Sequence, residues 1–379
     1  MPASSQESLL NIIRLLCKSC YCPLMKQLVM LASVSLGANL LHAESSRDSP
    51  FPDFGPGYLT FYLDNDLFAD EDQGYTNGAR ISWISGNRNL KDIGSIQRAL
   101  RPFTGDEQSL RAFRGITGFD DPSSVQYNYG FSLTQLMFTP ENFSSLTQPE
   151  GERRYAGWSA LGFSLHTKDD QTLNSVEFLV GATGKLSFAQ ETQDFVHDAR
   201  DIDKFLGWDD QIPTEITADL SFVQKRRLHF GDNEHPLGMD GVGEWGMRLG
   251  SFRTTAHIGG MIRVGLFLPA DFTDPRLSET AYANKYFNSE TSLKSNWSLF
   301  LLGGFRGTAV AHDATLDGPL FHDFSTGNTR EPLVGEVYAG IGLRIKSVEF
   351  AYAHTWRTLE YEEQVDPASY GTLSMRFQF

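Results

Sequence analysis

Oxygen-bearing side chains crowd one short stretch near the beginning of the chain. Between Asp64 and Gln73 there are five carboxylates and two amides, and the stretch joins two segments with the alternation of strands. Hard oxygen donors on a loop are the ligands that Ca²⁺ takes, with carbonyls and water completing roughly six to eight positions. The glycine and the terminal glutamate of an EF-hand are missing from their places. The stretch therefore predicts either a calcium site or a solvated acidic hairpin.

A second group of polar residues follows further along the chain. Gln190, Gln193 and His197 are separated by three and four residues, so a helix across them would align all three on one face. Asp203 follows six residues after the histidine. A histidine beside a carboxylate is the usual general base, because its pKa lies near neutrality and the carboxylate fixes its tautomer. The alternative is an exposed loop histidine without a chemical role.

The first residues have the features of a secretory signal. Met25 and Lys26 precede an apolar stretch that runs to Leu41, and Ala43 supplies a small residue for cleavage before Glu44. We therefore expect residues 1–43 to be a signal peptide, with Met25 favoured as the true start, and residues 44–379 to form the mature protein. All three cysteines lie before residue 23, so the mature chain would carry no thiol for zinc or redox chemistry.

Charge and hydropathy narrow the class of protein. With a formal net charge of −15, the chain is not expected to bind nucleic acid, because it would repel the phosphates. After the leader, no stretch approaches the roughly 18 apolar residues of a membrane helix. The last ten residues, 370–379, alternate between apolar and polar and end in Phe379, which resembles the signal read by the outer-membrane assembly machinery. The sequence thus predicts an outer-membrane protein that crosses with strands.

Alternating segments recur along the chain at intervals typical of a barrel. They predict an all-β fold, a transmembrane antiparallel β-barrel of about twelve strands, monomeric, with both termini in the periplasm. The predicted strands are 57–66, 76–86, 125–138, 155–166, 173–186, 214–229, 239–250, 254–267, 296–308, 333–345, 348–358 and 368–379. Two inner connections, 87–124 and 268–295, are longer than periplasmic turns usually are, so either could contain a further hairpin.

Several separated motifs, in order, resemble those of one family. They are Asn65-Asp66, Tyr75-Thr76-Asn77-Gly78, Gln135 to Pro140, Arg154-Tyr155-Ala156-Gly157-Trp158, His197, and Gly207-Trp208-Asp209-Asp210-Gln211. Together they resemble the outer-membrane lipid A 3′-O-deacylases and their uncharacterised relatives, from about residue 57 to the C-terminus.

The resemblance implies a twelve-stranded barrel that removes the 3′-linked acyloxyacyl chain of lipid A, in lipopolysaccharide, and requires Ca²⁺. His197 takes the place of the catalytic histidine, accompanied by Gln193 and by Asp203, where active members of the family are expected to have Glu. Asn65, Asp66 and Thr76 match residues at the ends of the first two strands.

Metal binding and substrate binding are further implications of the resemblance. Asp66 would be the main calcium ligand, and Asp203 would either bind the ion or orient the imidazole. The family places basic residues in the loop that corresponds to 141–152, where they could grip lipid A phosphate, but here that loop has no Lys or Arg. Arg153 and Arg154, at the start of the next strand, are the candidates for substrate binding.

The residues favour direct hydrolysis, in which His197 takes a proton from water while Ca²⁺ stabilises the oxyanion. Three other functions compete with this one. A phospholipase of the outer-membrane type needs Ser two residues after its His, and none of the nine histidines has one there. A small porin or structural barrel, and a surface protein that binds glycan or lipid, remain as alternatives without catalysis.

Overall fold

The computed structural model describes residues 57–65, 75–89, 114–115, 117–119, 125–201, 203–230, 235–277 and 295–378. The predicted signal peptide, residues 1–43, lies outside the described residues. So do Asp66 and the rest of the acidic stretch up to residue 74.

Twelve antiparallel strands form a closed barrel, which confirms the predicted fold class. The barrel closes because the first strand pairs with the last as well as with the second, and the second pairs with the third. The strands are β1 (Gly57–Asn65), β2 (Tyr75–Ser85), β3 (Gln126–Phe138), β4 (Ala156–Lys168), β5 (Thr172–Thr183), β6 (Ile216–Phe230), β7 (Leu237–Gly250), β8 (Arg253–Leu266), β9 (Trp297–Asp313), β10 (Leu333–Ile345), β11 (Val348–Arg357) and β12 (Ser369–Gln378). A two-residue strand, Arg88–Asn89, pairs with the start of β3.

The two ends of the barrel differ in their connections. The lower rim, as we name it, carries both ends of the barrel chain, at Gly57 and Gln378, which pair close together. The upper rim carries the connections 139–155, 184–215, 251–252, 314–332 and 358–368. Among the described residues, most of the folded loop structure is therefore at the upper rim. Placement of the lower rim in the periplasm stays a prediction.

Alternation along the strands separates an apolar outer wall from a polar lumen. On β4, Leu161, Phe163 and Leu165 point outward and are 68%, 43% and 50% exposed. Ser164 and His166, between and after them, point inward and are buried. Period-two alternation puts successive side chains on opposite faces of a sheet, so an apolar row faces lipid on one side of each strand.

No helix among the described residues is long and apolar enough to cross a membrane.

Paired charges fill the lumen. Near the lower rim Arg263 donates to Asp240 and Asp271, and all three side chains are completely buried. Higher in the barrel Glu336 accepts from both Arg276 and Arg357. A charge can be buried at tolerable cost only when it is paired and hydrogen-bonded, and these networks satisfy that condition.

The connection after β8 contributes to the filling of the lumen. Its described part, residues 267–277, leaves the lower rim and inserts between the strands, where Asp271, Phe272 and Arg276 are buried. The Arg276 guanidinium lies over the ring of Tyr338, 3.5 Å from its centroid, and Leu277 packs against the apolar cluster near the upper rim. Above this inserted segment there remains a cavity of about 60 Å³, lined by Arg276, Arg248 and Trp158 among others.

The predicted strand bounds agree with the structure to within a few residues, with two informative exceptions. β9 continues to Asp313 rather than ending near 308, because a bulge between Val310 and His312 interrupts the alternation. β5 ends at Thr183 rather than 186, because Gly184 has a φ of 61° and begins a 3₁₀ turn. The inner connection 268–295 enters the lumen over its described residues, 268–277, and forms no strand there.

Candidate active site

A helix lies against the outside of the barrel wall, just below the upper rim. This helix, α1 (Ala189–Arg200), belongs to the 184–215 connection and confirms the helical spacing of Gln190, Gln193 and His197. At its start, the carbonyl oxygen of Ser187 accepts hydrogen bonds from Gln135 Nε2 at 2.8 Å and from Ser159 Oγ at 2.6 Å. Gln135 and Ser159 are outward-pointing residues of β3 and β4. The helix is therefore fixed to the face of the wall that turns away from the lumen.

The close approach of this helix requires a glycine in the wall. A Cβ on Gly157 would lie 2.1 Å from Ser187 Oγ and 2.5 Å from the Cβ of Ala189, closer than atoms can pack. Ala189 is buried together with Met137, an outward residue of β3. Without a side chain at position 157, the start of α1 can rest directly on the backbone of β4.

A buried tryptophan in the turn after the helix is hydrogen-bonded to it. Trp208, in the 3₁₀ turn Gly207–Asp210, is fully buried, and its Nε1 donates to Gln193 Oε1 at 2.6 Å. Its ring lies 5.0 Å from that of Tyr155. A Cβ on Gly207 would come within 2.3 Å of the Tyr155 ring, so this position too needs glycine. Gln193, predicted as a catalytic residue, thus holds α1 to the turn that follows it.

Tyr155 ties this turn to the neighbouring connection. Its hydroxyl donates to the carbonyl oxygen of Phe143 at 3.2 Å. Burial raises the pKa of Tyr155 to about 12, so the phenol stays protonated and remains a donor across the physiological range. Phe143 also stacks on Phe205, with ring centroids 4.6 Å apart.

His197 is oriented by two contacts. Its Nδ1 lies 2.7 Å from the main-chain carbonyl oxygen of Asp203, and its ring meets the Phe205 ring edge-on, with centroids 4.9 Å apart. A carbonyl oxygen can only accept, so Nδ1 must carry the hydrogen and the lone pair of a neutral ring lies on Nε2. The Asp203 carboxylate is exposed and takes no part in this contact. The backbone of Asp203, rather than its side chain, therefore orients the imidazole.

Asn65 lies on the same outward face as the helix. In the strand register it pairs with Asn77, Asn77 pairs with Met137, and Met137 pairs with Gly157 under the start of α1. Neighbouring strands are about 4.8 Å apart, so Asn65 is two strand spacings, about 10 Å, from Met137 and three, about 14 Å, from Gly157. The structure thus brings Asn65 and the His197 helix to one region of the outer wall.

Thr76 occupies an irregular position in β2. Tyr75 pairs with Phe138 and Asn77 with Met137, so Thr76 is the extra residue of a bulge. Bulges are frequent at barrel rims and next to active sites, because they redirect a side chain. The side chain of Thr76 lies outside the described residues, as does the whole of Asp66.

The two candidate substrate-binding arginines are held in different ways. Arg153 is buried on the lumenal side, where it donates to Glu360 at 3.0 Å and to Thr315 at 2.7 Å and stacks over Phe138. Arg154 is partly exposed and donates to Asp210 at 2.7 Å, which joins it to the turn that carries Trp208. Arg154 is therefore connected to the turn that packs on α1, whereas the contacts of Arg153 are with residues of the lumenal side.

Within the described residues, no cluster of three or more His, Cys, Asp or Glu is arranged to hold a metal ion. Asp66, the predicted main ligand, is outside that part. The amide of Asn65 and the exposed carboxylate of Asp203 are hard oxygen donors of the kind that suits Ca²⁺. The described donors are compatible with the predicted ion, and the calcium site stays a prediction.

Sequence reasoning did not assign roles to several residues that build this site. Trp208 and Gly157 were visible within the motifs, and Phe205 lies two residues after Asp203. Their contacts join parts of the chain far apart in sequence. The motif Gly207-Trp208 was the one signal that could have pointed to a packed turn.

Comparisons with known proteins agree with the fold. No curated protein sequence is significantly similar to the chain. Among solved structures, LpxR from Salmonella typhimurium matches with a TM-score of 0.65 and 16% identity, covering 85% of this chain and 100% of that one. The β domain of the Bordetella autotransporter BrkA matches with a TM-score of 0.39 and 8% identity, covering 86% of this chain and 100% of that one.

A sequence profile of one family covers nearly the whole chain. The profile is described as "Outer membrane protein LpxR" and matches residues 28–379. The match includes all the strands of the barrel, the helix α1 and every candidate site residue. This chain therefore belongs to the LpxR family of outer-membrane proteins.

Proposed function

We propose that this barrel is a lipid A 3′-O-deacylase, a carboxylic ester hydrolase that removes the 3′-linked acyloxyacyl chain from lipopolysaccharide. The observation that carries the proposal is the position of His197, which lies outside the barrel wall with its Nε2 lone pair set by the Nδ1 contact to Asp203. A base on the outer wall can meet a lipid that stays in its membrane. Family membership and the ordered motifs support the same activity.

The proposed orientation places the upper rim at the cell exterior and both termini in the periplasm. The outer leaflet at that height consists of lipopolysaccharide, so lipid A would surround the wall beside α1. The even number of strands, which puts both ends of the barrel at the lower rim, agrees with this orientation. Substrate would then reach the site without leaving the leaflet.

The proposed reaction needs one base and one water molecule. His197 Nε2 accepts a proton from water while the water oxygen bonds to the ester carbonyl carbon. The bond from that carbon to the sugar 3′-oxygen then breaks, and the proton on the imidazolium returns to the leaving oxygen. The products are a free acyloxyacyl acid and lipid A with a 3′-hydroxyl. Phe205 and the Asp203 carbonyl hold the imidazole in place during both transfers.

We propose that Asp66, with Asn65 and the Asp203 carboxylate, holds calcium at this face. When bound, the ion would supply positive charge near the oxygen on which negative charge develops. Thr76, at the bulge beside Asn65, is the proposed further polar contact. Arg154 is the proposed cationic contact for the substrate, because Arg153 is committed to Glu360 and Thr315.

The filled lumen argues against the alternative of a porin. A channel needs a continuous aqueous path, and over the described residues the paired charges and the inserted segment 267–277 occupy the lumen, with a cavity of about 60 Å³ near the upper rim. That volume holds a few water molecules. Purified barrel in planar bilayers is therefore expected to show no stable conductance, and porin-like steps would contradict this part of the proposal.

The activity itself is tested in cells that make lipid A with a 3′-acyloxyacyl chain and lack such a deacylase. Expression of this protein should produce a lipid A species whose mass is lower by one acyloxyacyl chain, as measured by mass spectrometry. The matched control is a vector that expresses the His197→Ala variant at equal level in the outer membrane. Unchanged lipid A with properly assembled wild-type barrel, in medium containing calcium, would contradict the proposed function.

A further inference from the structure

Exposed aromatic side chains lie at the start of α1 and along it. Phe188, which directly precedes the helix with a φ of 54°, is 59% exposed, and Phe195 within the helix is 69% exposed. Leu186, just before the helix, is 51% exposed. The opposite side of the helix, with Ala189 and Gln193, is buried against the wall and the Trp208 turn. These three side chains form what we name the aromatic stripe.

The stripe is separate from the candidate active site. At about 100° per residue, His197 is displaced by roughly half a turn from Phe195. The imidazole instead contacts Phe205 and the Asp203 carbonyl. The stripe therefore needs an explanation other than the orientation of the base.

The stripe is continuous with the lipid-facing wall. Ser159, whose hydroxyl holds the start of the helix, pairs with Ala182, and Ala182 pairs with Ile216, an outward residue that is 63% exposed. One pleat below Ser159, about 7 Å along β4, Leu161 is 68% exposed. The apolar wall thus reaches the register position at which α1 begins. No soluble partner could cover the stripe without also approaching this lipid-facing belt.

The helix is polar along a neighbouring side. Glu191, Asp194 and Asp198 follow each other at spacings of three and four, which places them along one edge of α1, beside the aromatic stripe. A helix with an apolar side next to a charged side can lie in the plane of a membrane interface, with the apolar side towards the acyl chains.

We propose that the aromatic stripe of Leu186, Phe188 and Phe195 is seated in the membrane, in contact with the acyl chains of the leaflet at the upper rim. The acidic edge of α1 then faces water and the lipid headgroups. In this arrangement the helix is held between the wall and the leaflet, and the entrance to the His197 site opens at the level of the acyl chains. The proposal does not depend on catalysis.

A spin label reports directly on the surroundings of the stripe. The three cysteines of the chain all precede residue 23, so Phe195→Cys introduces the first thiol of the barrel region. The labelled full barrel is reconstituted in phospholipid bilayers, and the accessibility of the nitroxide to oxygen and to a water-soluble nickel chelate is measured. Leu161→Cys is the reference for lipid, and Glu191→Cys is the matched reference on the same helix.

The label at 195, like the label at 161, is expected to be more accessible to oxygen than to the nickel chelate. The label at 191 should be more accessible to the nickel chelate. Heat-modifiable migration checks that each variant has folded. Phe188→Cys is an independent second probe of the stripe and should agree with 195. Nickel accessibility at both 188 and 195 equal to that at 191, in folded barrel, would overturn the proposal.

Discussion

The lumen and the outer wall beside α1 hold their polar side chains in opposite ways. In the lumen, Arg263, Asp240 and Asp271 are fully buried and each charge has charged partners on two sides. On the outer wall, His197 is only partly buried and is positioned by a single hydrogen bond and one ring contact. Dense pairing fixes the charged side chains of the lumen against one another. Sparse pairing leaves the imidazole accessible, so the chemistry is expected on the outside.

The largest effect on stability is expected from breaking the lumenal network. Asp271→Ala leaves Arg263 and Arg376 without one of their carboxylates in a buried place. Loss of one partner of a buried ion pair costs about 3–5 kcal/mol. Urea unfolding, followed by heat-modifiable migration, measures the change. Asp209→Ala, which removes an exposed ion pair with Lys185 at the upper rim, is the control and should leave the midpoint unchanged. Equal midpoints for both variants would refute the structural role of the lumen.

The next effect concerns the outer wall and its proposed metal. Asp66→Ala, or excess chelator with wild type, should lower the deacylation rate by about a hundredfold to a thousandfold, as loss of oxyanion stabilisation usually does. The midpoint of urea unfolding should not change, because none of the proposed calcium ligands belongs to the lumenal network. Full turnover in chelator would remove the metal from the mechanism.

A smaller effect is expected from undocking α1. Gln193→Met keeps the volume but leaves the buried Trp208 N–H without its acceptor, which costs about 1–3 kcal/mol. We therefore expect faster proteolysis within residues 184–215 and a lower rate of deacylation. The stability of the barrel itself should not change. Gln190→Met, one turn away, is the matched control. Proteolysis of the Gln193 variant at the wild-type rate would show that this hydrogen bond does not hold the helix.

The smallest effect separates the backbone of Asp203 from its side chain. Asp203→Ala keeps the carbonyl that orients His197, so at saturating calcium the rate should stay within about twofold of wild type. The calcium concentration needed for half activity should rise, and Asp203→Glu should restore it. A rate that stays low at saturating calcium would assign the carboxylate a role in the chemistry itself.

Alternation along the sequence predicted most strands of the barrel wall. It predicted little of the segment inside the lumen or of the connections packed on the outside. Period-two alternation gave β10 its observed bounds, 333–345, because each side chain there faces either lipid or lumen. The bulge in β9 broke that pattern and shortened the predicted strand. Insertion of 267–277 was not predictable, because Arg263, Glu336 and Arg376, which hold it, come from three different strands.

In the candidate active site too, local spacing predicted the helix but not its tertiary contacts. Spacings of three and four predicted the helix that carries Gln193 and His197, and the structure confirms that helix. The buried contact of Gln193 with Trp208 joins residues 15 positions apart through a tertiary fold, so spacing could not reveal it. Likewise, the sequence placed Asp203 near His197 but could not distinguish its carbonyl from its carboxylate.

We expect the chemistry on the outer wall rather than in the mouth of the lumen. The upper rim offers a direct comparison, because His322 Nδ1 donates to the Glu215 carboxylate at 2.9 Å between two connections of that rim, the histidine–carboxylate pairing of a conventional general base. Single-turnover rates on lipid A should fall by about a hundredfold to ten-thousandfold in His197→Ala and stay near wild type in His322→Ala, with both barrels folded. A full loss in His322→Ala with an active His197→Ala would instead place the general base at the mouth of the lumen.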